Sequence, residues 1–325
     1  MQGDSERAKR RAGALVGVAV GDSLGLAVEG TPGNKKVVSS LVSWMRTQKK
    51  PPQFESYWPL GQISDDTQLT RLLFVACMAK AGESPETVAM HFAQLLVAHT
   101  GKWVGLGMAT SKALTRLARL TDFSLYLDAA SPDGEAGNGP AVRAVAVGVA
   151  NVGPLVAAEQ SRVTHKDPRC AAGSVLVSDA VTYLIHHGGL GVKLNVDEFL
   201  QCLAPSKFPE LERLPRLIKM RPAKAAKEIM SLQANDGSVG ISGFVVSTVL
   251  WALYCFLHSP SSFVESFETC LEAGGDTDST CALTCGLSGA WNSIDAIPKC
   301  AVRIIHDQEE KEDLQRDLLF APYLE

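Results

Sequence analysis

Gly274-Gly275-Asp276-Thr277-Asp278-Ser279-Thr280-Cys281-Ala282-Leu283-Thr284-Cys285-Gly286-Leu287-Ser288-Gly289-Ala290-Trp291 joins an acidic turn to an apolar helix. The glycine pair permits a turn with unusual backbone angles or a close approach. Asp276 and Asp278 then stand two apart at a helix start, with the Ser279 hydroxyl beside them. The small, apolar residues from Cys281 to Ala290 predict a buried helix behind them. Carboxylates at the mouth of a buried helix need a partner. Few Lys or Arg lie near in the chain, so a cation is one natural partner; helix capping with a distant salt bridge is the other.

A second acidic turn lies about two hundred residues earlier, at Ser64-Asp65-Asp66-Thr67. Ser64 can cap the helix that follows, and Asp65 and Asp66 suit its first turn. Taken alone this is an ordinary helix start. Taken together, four carboxylates and two hydroxyls suit one or two hard cations such as Mg²⁺ or Mn²⁺. Two such cations would bind sugar hydroxyls, orient water and stabilise developing charge.

The rest of the chain reads as helices. Apolar spacing predicts them over 6–20, 66–80, 85–98, 110–120, 140–151, 171–186, 196–203, 224–233, 243–257, 261–272, 278–291 and 299–319. Alternating Val, Ile and Thr runs are missing, so no sheet is expected. Residues 30–61, 128–140 and 233–243 read as long connections rich in turn formers. None has the bias of an interdomain linker, so residues 1–325 are expected to form one all-α domain.

Composition narrows the function class. A net charge of -4 predicts no general attraction to nucleic acid or to an anionic membrane. The most apolar run, 141–158, is interrupted by Arg143, Gly148, Gly153 and Pro154 and does not read as a membrane span. The charged N-terminus has no clear cleavage site and reads as no targeting peptide. Eight cysteines sit mostly in apolar stretches without a Cys-x-x-Cys pair. They read as free thiols in a reducing, cytoplasmic compartment, and zinc is not expected.

Two further elements stand out. Gly21-Asp22-Ser23-Leu24-Gly25, with Glu29 beyond, reads as a helix ending at a glycine stop. Gly137-Asn138-Gly139-Pro140, followed by Arg143, reads either as a plain turn or as a glycine loop whose amides hold phosphate. His165, after Thr164, is by default structural.

These motifs, in this order, carry a resemblance. The chain resembles the ADP-ribosylglycohydrolase family over nearly its whole length, from 11–17 and Gly21-Asp22-Ser23-Leu24-Gly25 through Ser64-Asp65-Asp66-Thr67, Gly137-Asn138-Gly139, Thr164-His165 and Gly243-Phe244-Val245 to 274–279. The resemblance implies an all-helical fold and two Mg²⁺ (or Mn²⁺) ions held by Ser64, Asp65, Asp66, Asp276, Asp278 and Ser279. It implies hydrolysis of the bond between ADP-ribose and an acceptor, with Glu29, Asp65, Asp66 and Asp278 as the catalytic group. Gly137, Asn138, Gly139 and His165 match positions near the phosphates and distal ribose, and Phe244 matches an aromatic near the adenosine. A catalytically silent, crystallin-like relative that only binds ADP-ribose is one alternative, and a Mg²⁺-dependent phosphohydrolase is another. One departure concerns the acceptor: Gly105 stands where arginine-cleaving members place an Asp, while Glu29 remains, as in serine-type members.

Overall fold

The computed structural model describes residues 2–29, 35–99, 101–233, 237 and 239–311. Its helices are α1 (Gln2–Leu26), α2 (Lys35–Thr47), α3 (Asp65–Ala79), α4 (Pro85–Ala98), α5 (Met108–Leu117), α6 (Gly139–Arg143), α7 (Val145–Ala150) and α8 (Pro154–Ser161). They continue with α9 (Pro168–His187), α10 (Val196–Leu203), α11 (Leu214–Leu217), α12 (Pro222–Met230), α13 (Val245–His258), α14 (Phe263–Leu271), α15 (Thr277–Asn292) and α16 (Lys299–Lys311). The fold is all-α. Among the described residues, strand pairing is confined to three isolated bridges, Ser131 with His165, Gly137 with Phe244 and Ile241 with Gly275.

The organising contact is between α1 and α15, which run antiparallel. Gly13, Gly17, Gly21 and Gly25 form one column on α1, four residues apart. A methyl group on each would lie 2.4, 2.2, 2.1 and 2.2 Å from the backbone oxygens of Gly289, Cys285, Cys281 and Thr277. The two backbones therefore touch directly, close enough for Cα–H···O contacts, and only hydrogen fits between them. Thr277 closes the column by donating its hydroxyl to Gly25 O at 2.8 Å. Every residue of α15 is buried, as is α13 from Val245 to Leu257.

Around this pair lies the main apolar cluster, with Trp251, Tyr254, Phe256, Phe267 and Trp291 among its largest side chains. A second cluster, with Leu69, Leu73, Phe92, Leu96 and Val147, packs α3, α4 and α7 together. Phe74 touches both clusters.

Several helices depart from the expected boundaries. α1 does not stop at Gly21 but runs through Gly25 to Leu26, because those glycines serve close packing rather than a turn. The connection expected over 30–61 contains α2, whose Leu41, Val42, Trp44 and Met45 are buried; residues 30–34 lie outside the described residues. The helix expected over 140–151 is divided at Ala144, where ψ of -13° tightens the turn, and it ends at Asn151 in a left-handed conformation. α8 was not expected from apolar spacing. Parts of two expectations, 312–319 of the last helix and 234–236 with 238 of the third connection, lie outside the described residues.

Candidate active site

The first acidic turn is set by a residue on α1. Asp22 is fully buried, and its carboxylate accepts the backbone amides of Ser64 and Thr67 at 2.9 and 3.1 Å, as well as the Thr67 hydroxyl. Ser64 then caps α3, its hydroxyl accepting the Asp66 amide at 3.2 Å. Asp65 and Asp66 follow in the first turn. The second acidic turn is set by Gly274 and Gly275, both at positive φ (65° and 91°). The Asp276 amide donates to Ile241 O at 2.8 Å. Asp276 begins α15 without capping it; its Oδ2 instead accepts Asn138 Nδ2 at 2.7 Å. Asp22 thus ties the first turn to α1, and the glycine column ties α1 to α15.

The two turns face one cavity of about 740 Å³. Its lining includes Glu29, Asp65, Asp66, Gly137, Asn138, Gly139, His165, Asp276, Asp278 and Ser279. Ligand oxygens of Glu29, Asp276 and Asp278 all lie within 4.8 Å of one another. Ser279 stands near enough to Asp66 to favour its charged form, which brings the two clusters side by side. Ser64 is placed behind the lining, completely buried at the helix cap. Phe244 lies outside this cavity and lines an adjoining one of about 650 Å³, with the Arg169 guanidinium 5.2 Å over its ring.

Electrostatically the cavity floor is strained. Burial, then Asp65, Asp22 and Asp276, push Asp66 well above the usual carboxylate range. Burial and Asp276 do the same to Asp278. Asp65 is raised to about 7, first by burial and then by Asp22 and Asp276, although the Gly107 amide partly offsets this. Glu29 is exposed at the mouth, but its carboxyl reaches the same recess; lost hydration, then Asp276 and Asp22, raise it to about 7. Among the described lining residues there is no Lys or Arg to offset these charges. Asp66 Oδ2 is sealed from solvent and has no hydrogen-bond partner. Clustered carboxylates and hydroxyls, a sealed oxygen without a donor and no basic side chain fit a hard divalent cation.

Beside the acidic recess, tied to it through Asn138 and Asp276, the cavity wall is an uncharged glycine loop. Asn138 precedes α6, which Gly139 begins, and Asn138 N donates to Gly243 O at 3.0 Å. The His165 ring packs on Gly137, where an added Cβ would meet Nε2 at 2.8 Å. The buried Arg143 lies behind this loop.

One acidic recess and one glycine loop share a cavity built from both ends of the chain, and a sequence comparison shows what that combination belongs to. Residues 4–323 match the model of the ADP-ribosylglycohydrolase family. The chain belongs to the ADP-ribosylglycohydrolase family. As a member of the ADP-ribosylglycohydrolases it is a hydrolase of glycosyl bonds. It is 28% identical over 309 residues to an ADP-ribosyl-dinitrogen reductase glycohydrolase of Rhodospirillum rubrum, covering 89% of this chain and 87% of the relative. It is 24% identical over 333 residues to the ADP-ribosylarginine hydrolase Tri1 of Serratia proteamaculans (strain 568), covering 98% and 81%. It is 23% identical over 315 residues to the ADP-ribosylhydrolase ARH3 of Xenopus tropicalis, covering 88% of each. A solved structure titled ADP-ribosylglycohydrolase-related protein complex superposes with a TM-score of 0.65 at 25% identity, covering 99% of this chain and all of the other.

Some residues of the site carry no local sequence signal of their task. Asp22, behind the lining, is one; the four-residue spacing of Gly13, Gly17, Gly21 and Gly25 is the signal that α1 continues and delivers it. Tyr57 and Trp58, edge to face at 4.9 Å, line the Glu29 side, and no local pattern marked them. No described helix is long and apolar enough to cross a membrane.

Proposed function

We propose that this ADP-ribosylglycohydrolase cleaves the bond between the anomeric carbon of ADP-ribose and an acceptor, releasing ADP-ribose, with two Mg²⁺ (or Mn²⁺) ions as its cofactor. The observation that carries the reading is the sealed, partnerless Asp66 Oδ2 beside Ser279 and the Glu29–Asp276–Asp278 group. Asp65, Asp66, Asp276 and Asp278, with the hydroxyls of Ser64 and Ser279, would hold the ions. When bound, the ions supply Lewis acidity and an anchor for ribose hydroxyls and water.

The chain's own residues account for the remaining steps. The carboxylates around the recess offset positive charge that grows at the anomeric carbon as the bond loosens. Glu29, at the mouth, orients the incoming water. The loop 137–139 and His165 hold the diphosphate end, which fixes the sugar over the acidic floor. Phe244, in the adjoining cavity, serves the adenosine. The acceptor leaves past Glu29, Tyr57 and Trp58. The free cysteines, six of them buried, suit a reducing, cytoplasmic setting.

Product analysis tests this directly. Incubation with ADP-ribosylated substrate and Mg²⁺ is expected to release ADP-ribose, and chelation is expected to stop it. Release of inorganic phosphate would favour a phosphohydrolase. Binding of ADP-ribose with no turnover in either metal would favour a silent relative.

A further inference from the structure

Behind His165 runs a chain of hydrogen bonds that begins at a buried cation. Arg143 is 0% exposed, on the last turn of α6. Its Nε donates to Gln160 Oε1 at 2.6 Å, and its Nη2 to Gln160 O at 3.1 Å and to Thr164 Oγ1 at 2.7 Å. Thr164 Oγ1 in turn lies 2.9 Å from His165 Nδ1. Among the described residues these are the two side-chain contacts of the Thr164 hydroxyl.

The direction of this chain follows from donor counting. A guanidinium only donates, so Thr164 Oγ1 accepts from Arg143. Among the described residues the Thr164 hydroxyl hydrogen has no other side-chain acceptor than His165 Nδ1, so the arrangement that pairs every group has Nδ1 unprotonated and accepting it. A neutral imidazole carries one proton, so that proton sits on Nε2. Nε2 is the ring atom against Gly137, in the cavity lining, and it has no hydrogen-bond partner among the described residues.

We propose that Arg143 and Thr164 are positioning residues that lock His165 as the Nε2–H tautomer, so that the ring presents one fixed N–H donor to the diphosphate. The use of this donor rests on the reading of the site given above; the lock itself does not. Burial, then Arg143, hold His165 down to about 3, so the ring is neutral at physiological pH, against weaker opposing pulls from Glu135 and Asp167. Burial draws Arg143 down only to about 9, and it stays protonated. Arg143 Nη1 is sealed and without a partner; a Cβ on Gly139 would lie 4.0 Å from it. The cation therefore does two things: it orders the relay, and it sets a positive charge behind the glycine loop, which Asp65 and Asp66 help to keep protonated. His165 cannot serve as a proton shuttle in this arrangement, because its acceptor nitrogen is already engaged.

The test is heteronuclear NMR of the full chain with ¹⁵N-labelled histidine, in the absence of ligand, on the wild type, Thr164→Val and Thr164→Ser. The wild type and Thr164→Ser are expected to show His165 protonated at Nε2 alone. Thr164→Val, nearly isosteric, is expected to show a mixture of tautomers and to bind ADP-ribose about tenfold more weakly, the loss of about one hydrogen bond. A wild-type ring protonated at Nδ1, or a tautomer unchanged in Thr164→Val, overturns the lock. Melting curves of both variants separate a folding defect, and Thr164→Ser carries the comparison if Thr164→Val does not fold. If the lock holds while ADP-ribose leaves the His165 signals unmoved, the diphosphate assignment fails instead.

Discussion

Asp22 accepts the backbone amide of Ser64 at 2.9 Å, from a position 42 residues earlier in the chain. It is not among the proposed metal ligands, yet it holds the turn that presents two of them. The glycine column fixes α1 against α15, and Asp22 transmits that placement to Asp65 and Asp66. The spacing between the acidic clusters is thus a packing distance between helices rather than a property of either loop.

Asp22→Ala removes the acceptor of the Ser64 and Thr67 amides. Leaving a buried amide unpaired costs about 1–3 kcal/mol. We expect a lower denaturation midpoint and weaker Mg²⁺ binding, read by urea titration and calorimetry. Wild-type Mg²⁺ affinity in this variant would remove Asp22 from the account.

Asp66→Asn and Asp278→Asn are expected to abolish turnover while the fold persists. Each removes a charge from a buried cluster that repels itself. Without metal, melting temperature is expected to be unchanged or slightly raised. Wild-type activity in Mg²⁺ for either variant would sink the assignment of these ligands.

The raised carboxyls predict a pH signature. Glu29 and Asp65 titrate near 7 in the folded protein, above their ordinary range. The folded state therefore holds these protons more tightly than the unfolded chain. Their contribution to stability is full at low pH and is lost as pH rises through about 7. His165, held to about 3, gives the opposite slope, but only below the ordinary histidine value of 6.5. In chelator, stability is expected to fall from pH 6.5 to 8, and to fall less in Asp65→Asn. Equal slopes for the two proteins over that window would contradict the shift.

Gly139→Val tests the loop. A Cβ at 139 meets nothing nearer than 4.0 Å, so the fold should tolerate it. The added methyls project beside Thr110 in the cavity lining. ADP-ribose affinity is expected to fall at least tenfold with little change in melting temperature. Unaltered affinity would return the loop to a plain turn.

For the acceptor, we expect weak or no release from ADP-ribosylarginine relative to a serine-linked substrate. Gly105 has φ of 74°, and a Cβ there would sit 3.6 Å from Asp65 Oδ1. It supplies no carboxylate for a departing guanidinium. Parallel assays of the two substrates decide this; an arginine rate equal to or above the serine rate would show it wrong.

The sequence disclosed the helical class and both acidic turns because each is a short, local pattern: hydroxyl, carboxylates, then an apolar helix. It concealed what depends on distant partners. α2 carries Val37, Val38, Ser39 and Ser40, weak helix formers, and its Leu41, Trp44 and Met45 earn their helix only against the core. Gly21 and Gly25 looked like a stop because a glycine in a helix and a glycine after one are identical until the neighbour is known. Arg143 and Thr164 were visible as letters, but the relay between them depends on the fold of α6 against α8.

The glycine column also sets when the enzyme can exist. Gly25 and Thr277, its last rung, are 252 residues apart in the chain. At synthesis rates of roughly 5–20 residues per second, α1 waits about 10–50 s for its partner to leave the ribosome. Closure of so long a loop is a late event that local contacts do not reward in advance. Until then Asp22 has no fixed place, and the two acidic turns belong to separate stretches of a growing polypeptide. A nascent chain is accordingly expected to be inactive, and activity to switch on in one step at the end of folding.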